Sequence, residues 1–296
     1  MKFASIAGAL LIAATPALAD PVEIGTARGP VSVAQTPAKV AVYDIAAIDT
    51  LLALGVTPAG VPDELYVPAI KTAAGGAAKI GTLFEPDIEA LSGLDPDLVI
   101  VGGRTATQFD QVSEVAPAID MTISPDVVGD ARARLLTYGA LFNKADKAAE
   151  LAGTLDARIA GVQAAAKDKG NALIVMTNGP KVSAYGRGSR FGWLHDTVGL
   201  PEAYPNLIPE THGDAISFEF ITEVNPDWLL VIDRGAAVGE EGASAAETLD
   251  NPLVAGTKAA QAGQVVYLDA GRLYISGGGY SSLMGTLDEM LAALKG

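Results

Sequence analysis

The chain has 296 residues, 49% of them hydrophobic, and its 35 acidic against 20 basic side chains give a formal net charge of −15. This length has room for two domains with substantial cores, and the acidic balance excludes a nucleic-acid binder, which needs a basic face to neutralise phosphates. Cysteine is absent, which excludes disulfides, thiolate metal sites and a lipid-modified cysteine.

At the N-terminus, Lys2 precedes an apolar run from Phe3 to Ala14, and Ala17-Leu18-Ala19 forms an A-x-A cleavage site before Asp20. This is the pattern of an export signal over residues 1–19. The run is too short to span a membrane, which takes about 20 apolar residues. A periplasmic protein whose mature chain starts at Asp20 is therefore expected. Val22 to Val33 reads as a short β-like start, and Lys39 to Tyr43 as the first core strand. Asp44 to Gly55 is a predicted helix, with Ile48, Leu51, Leu52 and Leu54 apolar and Gly55 ending it. Val56 to Val61 and Ala118 to Met121 are further strand candidates.

From Asp130 to Asp168 proline disappears and Ala, Leu and Lys become dense, with Leu151, Leu155, Ile159 and Val162 at helical spacing. The pattern predicts a helix to about Phe142, then one long helix from Ala145 to Lys167 acting as a strut between domains. Strands follow at Asn171–Met176 and Val182–Tyr185, a helix at Phe191–Leu200, a strand at Val265–Leu268 and a closing helix from Ser281 to Leu294. Strands alternating with helices in each half predict two α/β lobes with parallel sheets.

One segment is written twice without gaps. Glu89-Ala-Leu-Ser-Gly-Leu-Asp-Pro-Asp-Leu-Val-Ile-Val-Gly-Gly-Arg104 aligns with Glu219-Phe-Ile-Thr-Glu-Val-Asn-Pro-Asp-Trp-Leu-Leu-Val-Ile-Asp-Arg234. Each copy reads as a short helix, a Pro-Asp turn, an apolar strand and an Arg just past it. Ligands of parallel α/β sheets bind beyond the carboxyl ends of strands. Two strands tipped with Arg104 and Arg234 therefore suggest two lobes facing one anionic ligand.

The residues offer little to a nucleophilic enzyme: there is no Gly-x-Ser-x-Gly elbow, no cysteine, and two histidines in all. Gly186-Arg-Gly-Ser-Arg-Phe-Gly192 lacks the Lys-Ser/Thr of a P-loop, yet suits an anion-facing turn bearing Arg187 and Arg190. His195 lies in a helical run and reads as a packed residue, whereas His212 sits in an aperiodic loop beside Gly213, open either to a surface role or to metal ligation. A bare-cation site needs three or four protein ligands. A metal already wrapped in an anionic chelator needs fewer, because arginines can hold the chelator's oxygens. Tyr274, after the last strand, is placed to offer a phenolate to ferric iron or to pack as an ordinary aromatic.

Taken in order, Pro-Asp-Leu-Val-Ile with Arg104, Gly-Ser189-Arg190-Phe-Gly192, Thr211-His212-Gly213, Val-Ile-Asp233-Arg234 and Tyr274-Ile-Ser-Gly-Gly-Gly279 resemble the periplasmic catecholate-siderophore receptors of bacterial ABC importers. Leu249-Asp-Asn-Pro-Leu253, Lys258-Ala-Ala-Gln261 and Val266-Tyr-Leu-Asp269 extend the resemblance, which runs from Lys39 to the C-terminus. It implies two Rossmann-like α/β lobes, at 20–142 and 169–296, joined by a single long rigid helix within 143–168, with the ligand in the cleft between them. It further implies that Arg104, Arg190 and Arg234 surround the oxygens of a ferric catecholate, and that His212 and Tyr274 bind the iron when the siderophore leaves positions open. Glu89 and Glu219, one per lobe, are implied to meet arginines of an inner-membrane ABC permease. Arg187 and Arg272 add cationic groups beyond this pattern, with Arg187 a further ligand-binding candidate, and Gly271-Arg272-Leu273 stands where a more aromatic approach to the tyrosine is expected. The expectation is a monomeric binding protein with no intrinsic cofactor, its ligand an Fe(III)–siderophore complex. Haem or cobalamin on the same architecture, or an exported α/β enzyme using His212 as acid or base on an anionic metabolite, are the alternatives.

Overall fold

The computed structural model describes residues 21–296; the expected export signal and cleavage site lie outside the described residues. The chain opens with an antiparallel hairpin, β1 (Val22–Thr26) and β2 (Gly29–Val33), turned at Gly29 with φ +105°. Five short strands then build the first sheet: β3 (Val40–Val42), β4 (Gly60–Val61), β5 (Ala78–Lys79), β6 (Leu98–Val101) and β7 (Ala118–Asp120). Their order is β5-β4-β3-β6-β7 and every pairing is parallel. The strands β3 and β6 are buried throughout, as expected where helices cover both faces.

The second sheet contains β8 (Ala172–Asn178), β9 (Lys181–Tyr185), β10 (Asp214–Ile216), β11 (Trp228–Asp233) and β12 (Val265–Leu268), in the order β10-β9-β8-β11-β12. This sheet is parallel at its centre and antiparallel at one edge. Only β8, β11 and β12 run parallel; β9 is antiparallel to both β8 and β10. The cause is local: two residues, Gly179 and Pro180, separate β8 from β9, and Gly179 at φ +55° turns the chain straight back. A parallel neighbour would need a crossover of a dozen or more residues. The weak three-residue strand β10 escapes a sequence reading because its residues alternate no hydrophobic pattern.

The doubled segment folds the same way in both lobes. Its helices, Ile88–Leu94 and Phe218–Val224, are capped by the side chains of Asp87 and Ser217, and each ends on a left-handed residue, Asp95 (φ 52°) and Asn225 (φ 47°). Asp and Asn tolerate that conformation better than most residues. Asp97 then accepts from the backbone N–H of Lys39 at 2.7 Å, and Asp227 from that of Asn171 at 3.0 Å, each carboxylate pinning the start of the adjacent central strand. The repeat thus aims β6 and β11 identically within their sheets.

Between the sheets runs the helix Ala145–Ala166, the longest in the chain. It packs on the preceding helix Val127–Leu141 and on the closing helix Tyr280–Lys295, to which Arg158 and Asp288 add an ion pair. The closing helix also crosses to the first lobe, against Ile45–Ala53. Its own N-cap, Gly279, offers no side chain; instead the first lobe's Asp49 accepts from the Ser282 N–H at 2.8 Å and Thr50 Oγ1 accepts from the Tyr280 N–H at 3.2 Å. A helix N-terminus leaves such N–H groups orphaned, so the first lobe caps the last helix. Glycine is required at the crossing: a Cβ on Gly279 would lie 2.4 Å from Asp49 Oδ2, and one on Gly278 (φ +87°) 2.3 Å from Ile123 Cδ1. Among the described residues no helix is long and apolar enough to cross a membrane.

Candidate ligand-binding site

In each sheet the strand order reverses beside its central strand, between β3 and β6 and between β8 and β11. In open α/β sheets ligands bind at the carboxyl ends of strands at such a reversal. The residues leaving those ends are Asp44 and Gly102–Arg104 in the first lobe, and Asn178 and Asp233–Arg234 in the second. A cleft of about 620 Å³ opens there, lined from the first lobe by Asp44, Arg104 and Ile123 and from the second by Arg190, Trp193 and Tyr274 among others. This volume suits a drug-sized ligand.

Tyr274 is the hub of the cleft. It lies in a single π-helical turn, Gly271–Ile275, which presents its backbone carbonyl to both lobes. Arg104 Nη2 donates to that carbonyl at 2.9 Å and Arg190 Nη2 at 2.7 Å. The Arg190 guanidinium stacks 4.0 Å from the Tyr274 ring centroid, with Arg104 at 5.3 Å and Arg234 at 5.9 Å. Three guanidinium groups therefore surround one phenol. Burial alone would push the phenol up, but the hydrogen bond from Arg234 and the fields of Arg190, Arg234 and Arg104 hold it below the usual tyrosine value. Burial, followed by the nearby Arg104 charge, weakens the hold of Arg190 on its proton.

Among the described residues Arg104 and Arg190 form no ion pair with a carboxylate, so their charge is turned toward the cleft. Arg234 is partly neutralised by Glu240, at 2.8 Å, and also reaches Asn178 Oδ1 at 3.3 Å. The glycine-rich turn explains the placing of Arg190. Ser189 is buried and its hydroxyl donates to the Gly186 carbonyl at 2.6 Å, and the backbone of Gly192 closes so tightly that a Cβ would fall 2.0 Å from the same oxygen. In this closed loop Arg190 faces the cleft and Arg187 faces out.

Of the residues expected at the ligand, Arg187, Arg234 and His212 are absent from the cleft lining, Arg234 meeting it through the Tyr274 ring. Arg187 pairs with Asp196 at 2.6 Å and Glu202 at 3.1 Å, which hold it more firmly protonated and away from the lining. Arg272 pairs with Asp269 at 3.5 Å and Glu289 at 2.7 Å, against the closing helix. His212 is exposed on the loop whose Pro209 and Thr211 line the cleft, while its own side chain lies outside the lining. Its carbonyl accepts from the Tyr185 hydroxyl at 2.9 Å, and Tyr185 meets Phe191 edge-on at 4.8 Å. His195 is packed as expected, its Nδ1 3.1 Å from the Leu200 carbonyl, and burial pulls its pKa down. Glu89 and Glu219 are both exposed in the first turns of the matching helices. Among the described residues no three His, Asp or Glu side chains converge as a metal site.

Sequence reasoning missed Asp44 and the apolar lining supplied by Phe84, Ile123, Val127 and Trp193. Asp44 was findable, because it follows the apolar strand β3 as Arg104 follows β6. It also caps the first helix, accepting from the Ala47 N–H at 2.7 Å; burial pushes its carboxyl up against the pull of that bond and of Arg134 and Arg104. The apolar residues carry no local signal, since only the fold gathers them.

A family model described as periplasmic binding protein matches residues 40–271. The petrobactin-binding protein YclQ of Bacillus subtilis is 36% identical over 270 residues, covering 89% of this chain and 84% of YclQ. The ferric-anguibactin-binding protein FatB of Vibrio anguillarum is 31% identical over 93% of this chain and 88% of its own. The crystal structure of the periplasmic catecholate-siderophore-binding protein VctP from Vibrio cholerae superposes with a TM-score of 0.87 at 28% identity, covering 92% of this chain and all of VctP.

Proposed function

Since the chain belongs to the periplasmic binding protein family, we propose that it captures a ferric siderophore, of catecholate type, in the periplasm and delivers it to an ABC importer for iron uptake. YclQ and FatB are named for binding petrobactin and ferric anguibactin, and in this reading the iron likewise arrives as part of the ligand. The observation that carries the reading is the cluster of Arg104, Arg190 and Arg234 about Tyr274. In a chain of net charge −15, three guanidinium groups crowd one ring, and among the described residues two of them have no carboxylate partner. Such crowding repels itself until an anion enters, and a guanidinium's planar donors match anionic oxygens in pairs.

In this reading the three arginines hold the chelator's oxygens and Tyr274 offers a phenolate to iron the chelator has not fully enclosed. His212 joins it once its loop turns into the cleft. The lobes, over 20–142 and 169–296, close about the helix within 143–168, and Glu89 and Glu219 dock the loaded monomer on the permease. In the same reading residues 1–19 serve as the export signal that sends the protein to the periplasm.

The test is a titration of the mature protein with ferric bis- and tris-catecholates, haem and cobalamin, followed by Trp193 fluorescence. Trp193 lines the cleft, whereas Trp228 is buried in β11 with its indole N–H on the Lys169 carbonyl at 3.0 Å. Tight binding of the catecholates alone is expected; preference for haem or cobalamin, or turnover of any of them, would overturn the assignment. The visible spectrum of the ferric bis-catecholate complex should change in His212→Ala and Tyr274→Phe, and an unchanged spectrum in both would rule out direct ligation.

A further inference from the structure

The cleft has two chemically different parts. Beside the arginine–tyrosine cluster lies an apolar lining from the first lobe, with Phe84, Ile123, Pro125 and Val127. Phe84 is conspicuous within it. It is 58% exposed, more than any other large hydrophobic residue among those described.

A single exposed aromatic is ordinary on a protein surface. What sets Phe84 apart is the rigidity of the turn that carries it. Thr82 Oγ1 accepts from the N–H groups of both Phe84, at 3.2 Å, and Glu85, at 3.0 Å, and the Thr82 N–H donates to the Glu85 carbonyl at 2.9 Å. Gly81 enters the turn at φ +100°, where a Cβ would stand 2.4 Å from the Asp87 nitrogen. Leu83, next to Phe84, is buried at 5% exposure, and its carbonyl accepts from the hydroxyl of fully buried Thr105 at 2.6 Å. Thr105 directly follows Arg104. The same short helix, Gly103–Gln108, thus fixes both the arginine that faces the anion and the turn that holds the ring.

None of these anchors uses the phenyl group, so folding does not require it; the ring is simply held, wet, at the cleft. Holding an apolar ring in water is unfavourable, and the free energy returns when a ligand covers it. A fixed backbone also removes most of the ordering cost of that contact.

We infer that Phe84 is a specificity-determining contact whose ring packs against an aryl ring of the bound ferric chelate while the arginines hold its oxygens. The inference rests on the reading given under Proposed function. It goes further by assigning the ligand's aromatic face to the first lobe and by making selection depend on aromatic contact as well as on charge. Offset or edge-to-face ring contacts add stabilisation beyond the area they bury.

The experiment measures the affinity of a ferric bis-catecholate for wild type, Phe84→Ala, Phe84→Leu and Phe84→Tyr by Trp193 fluorescence, with thermal unfolding midpoints alongside. Phe84→Ala should keep the wild-type midpoint and lose about tenfold in affinity, roughly one ring's contact energy. Phe84→Tyr should bind as wild type does, and Phe84→Leu should fall with the alanine variant. Wild-type affinity in Phe84→Ala would overturn the contact, and wild-type affinity in Phe84→Leu would overturn its aromatic character. If wild type itself bound no ferric catecholate, the proposed function would fail first and this inference with it, an outcome separable from the other two.

Discussion

Among single residues, Tyr274 organises the site through its backbone as much as through its ring. Arg104 and Arg190 are both anchored on its carbonyl, so Tyr274→Phe removes the hydroxyl while leaving the arginines in place. Arg190 and Arg187 make a sharper contrast, since they stand three positions apart in one glycine-rich loop. Arg190 lines the cleft and, among the described residues, pairs with no acid, whereas Arg187 is engaged by two acids on the outside. Arg190→Ala should therefore weaken ferric catecholate binding by about 2 kcal/mol or more, some 30-fold. Arg187→Ala should leave the affinity where it is. Equilibrium titration of both variants checks this, and comparable losses would return Arg187 to the site. Spacing could not separate the pair, because the turn's closure on Gly186 and the positions of Asp196 and Glu202 decide which way each side chain leaves.

At the level of elements, the doubled helix–strand unit was legible because its signals are local: a cap, a left-handed Asp or Asn, a Pro-Asp turn and an apolar run. The capping of the closing helix by Asp49 was not. Sequence offers Gly279 at that helix start and nothing to cap it, while the acceptor lies more than two hundred positions earlier. Asp49 is 3% exposed, and burial pushes its carboxyl up against the hydrogen bonds from Ser282 and Ser281. A raised carboxyl contributes stability that is complete below the unfolded value, near 3.9, and is lost as pH rises through the folded value. Asp49→Asn keeps an acceptor oxygen and removes that titration. Its stability relative to wild type should improve as pH rises through the acid range, as unfolding midpoints measured at several pH values would reveal; a constant difference would contradict the argument. Asp49→Ala strands a buried N–H, which should cost about 1–3 kcal/mol; because it too lacks the titration, its deficit should shrink as pH rises.

For the whole molecule, composition and charge had already excluded nucleic acid, and the period of the hydrophobic pattern gave two α/β lobes and a long helix between them. The placing of Glu89 and Glu219 at matching points of the two lobes belongs to this scale as well. Charge reversal at both, Glu89→Lys with Glu219→Lys, should abolish siderophore-dependent uptake in cells while ligand affinity measured on the purified protein stays unchanged. Loss of affinity would instead tie these residues to the cleft. The sequence by itself determined whatever depends on neighbours along the chain: the strands, the helices, the repeat and the arginines that tip its two strands. Only the tertiary structure decided which charges meet. It brought Arg104 from one lobe against Arg190, Arg234 and Tyr274 from the other, turned Arg187 and Arg272 away onto acids, and set Phe84 beside the arginine cluster. The reason is physical: a side chain's charge and reach are local properties, but its partners and its share of water are fixed only when distant strand ends are packed into one cleft.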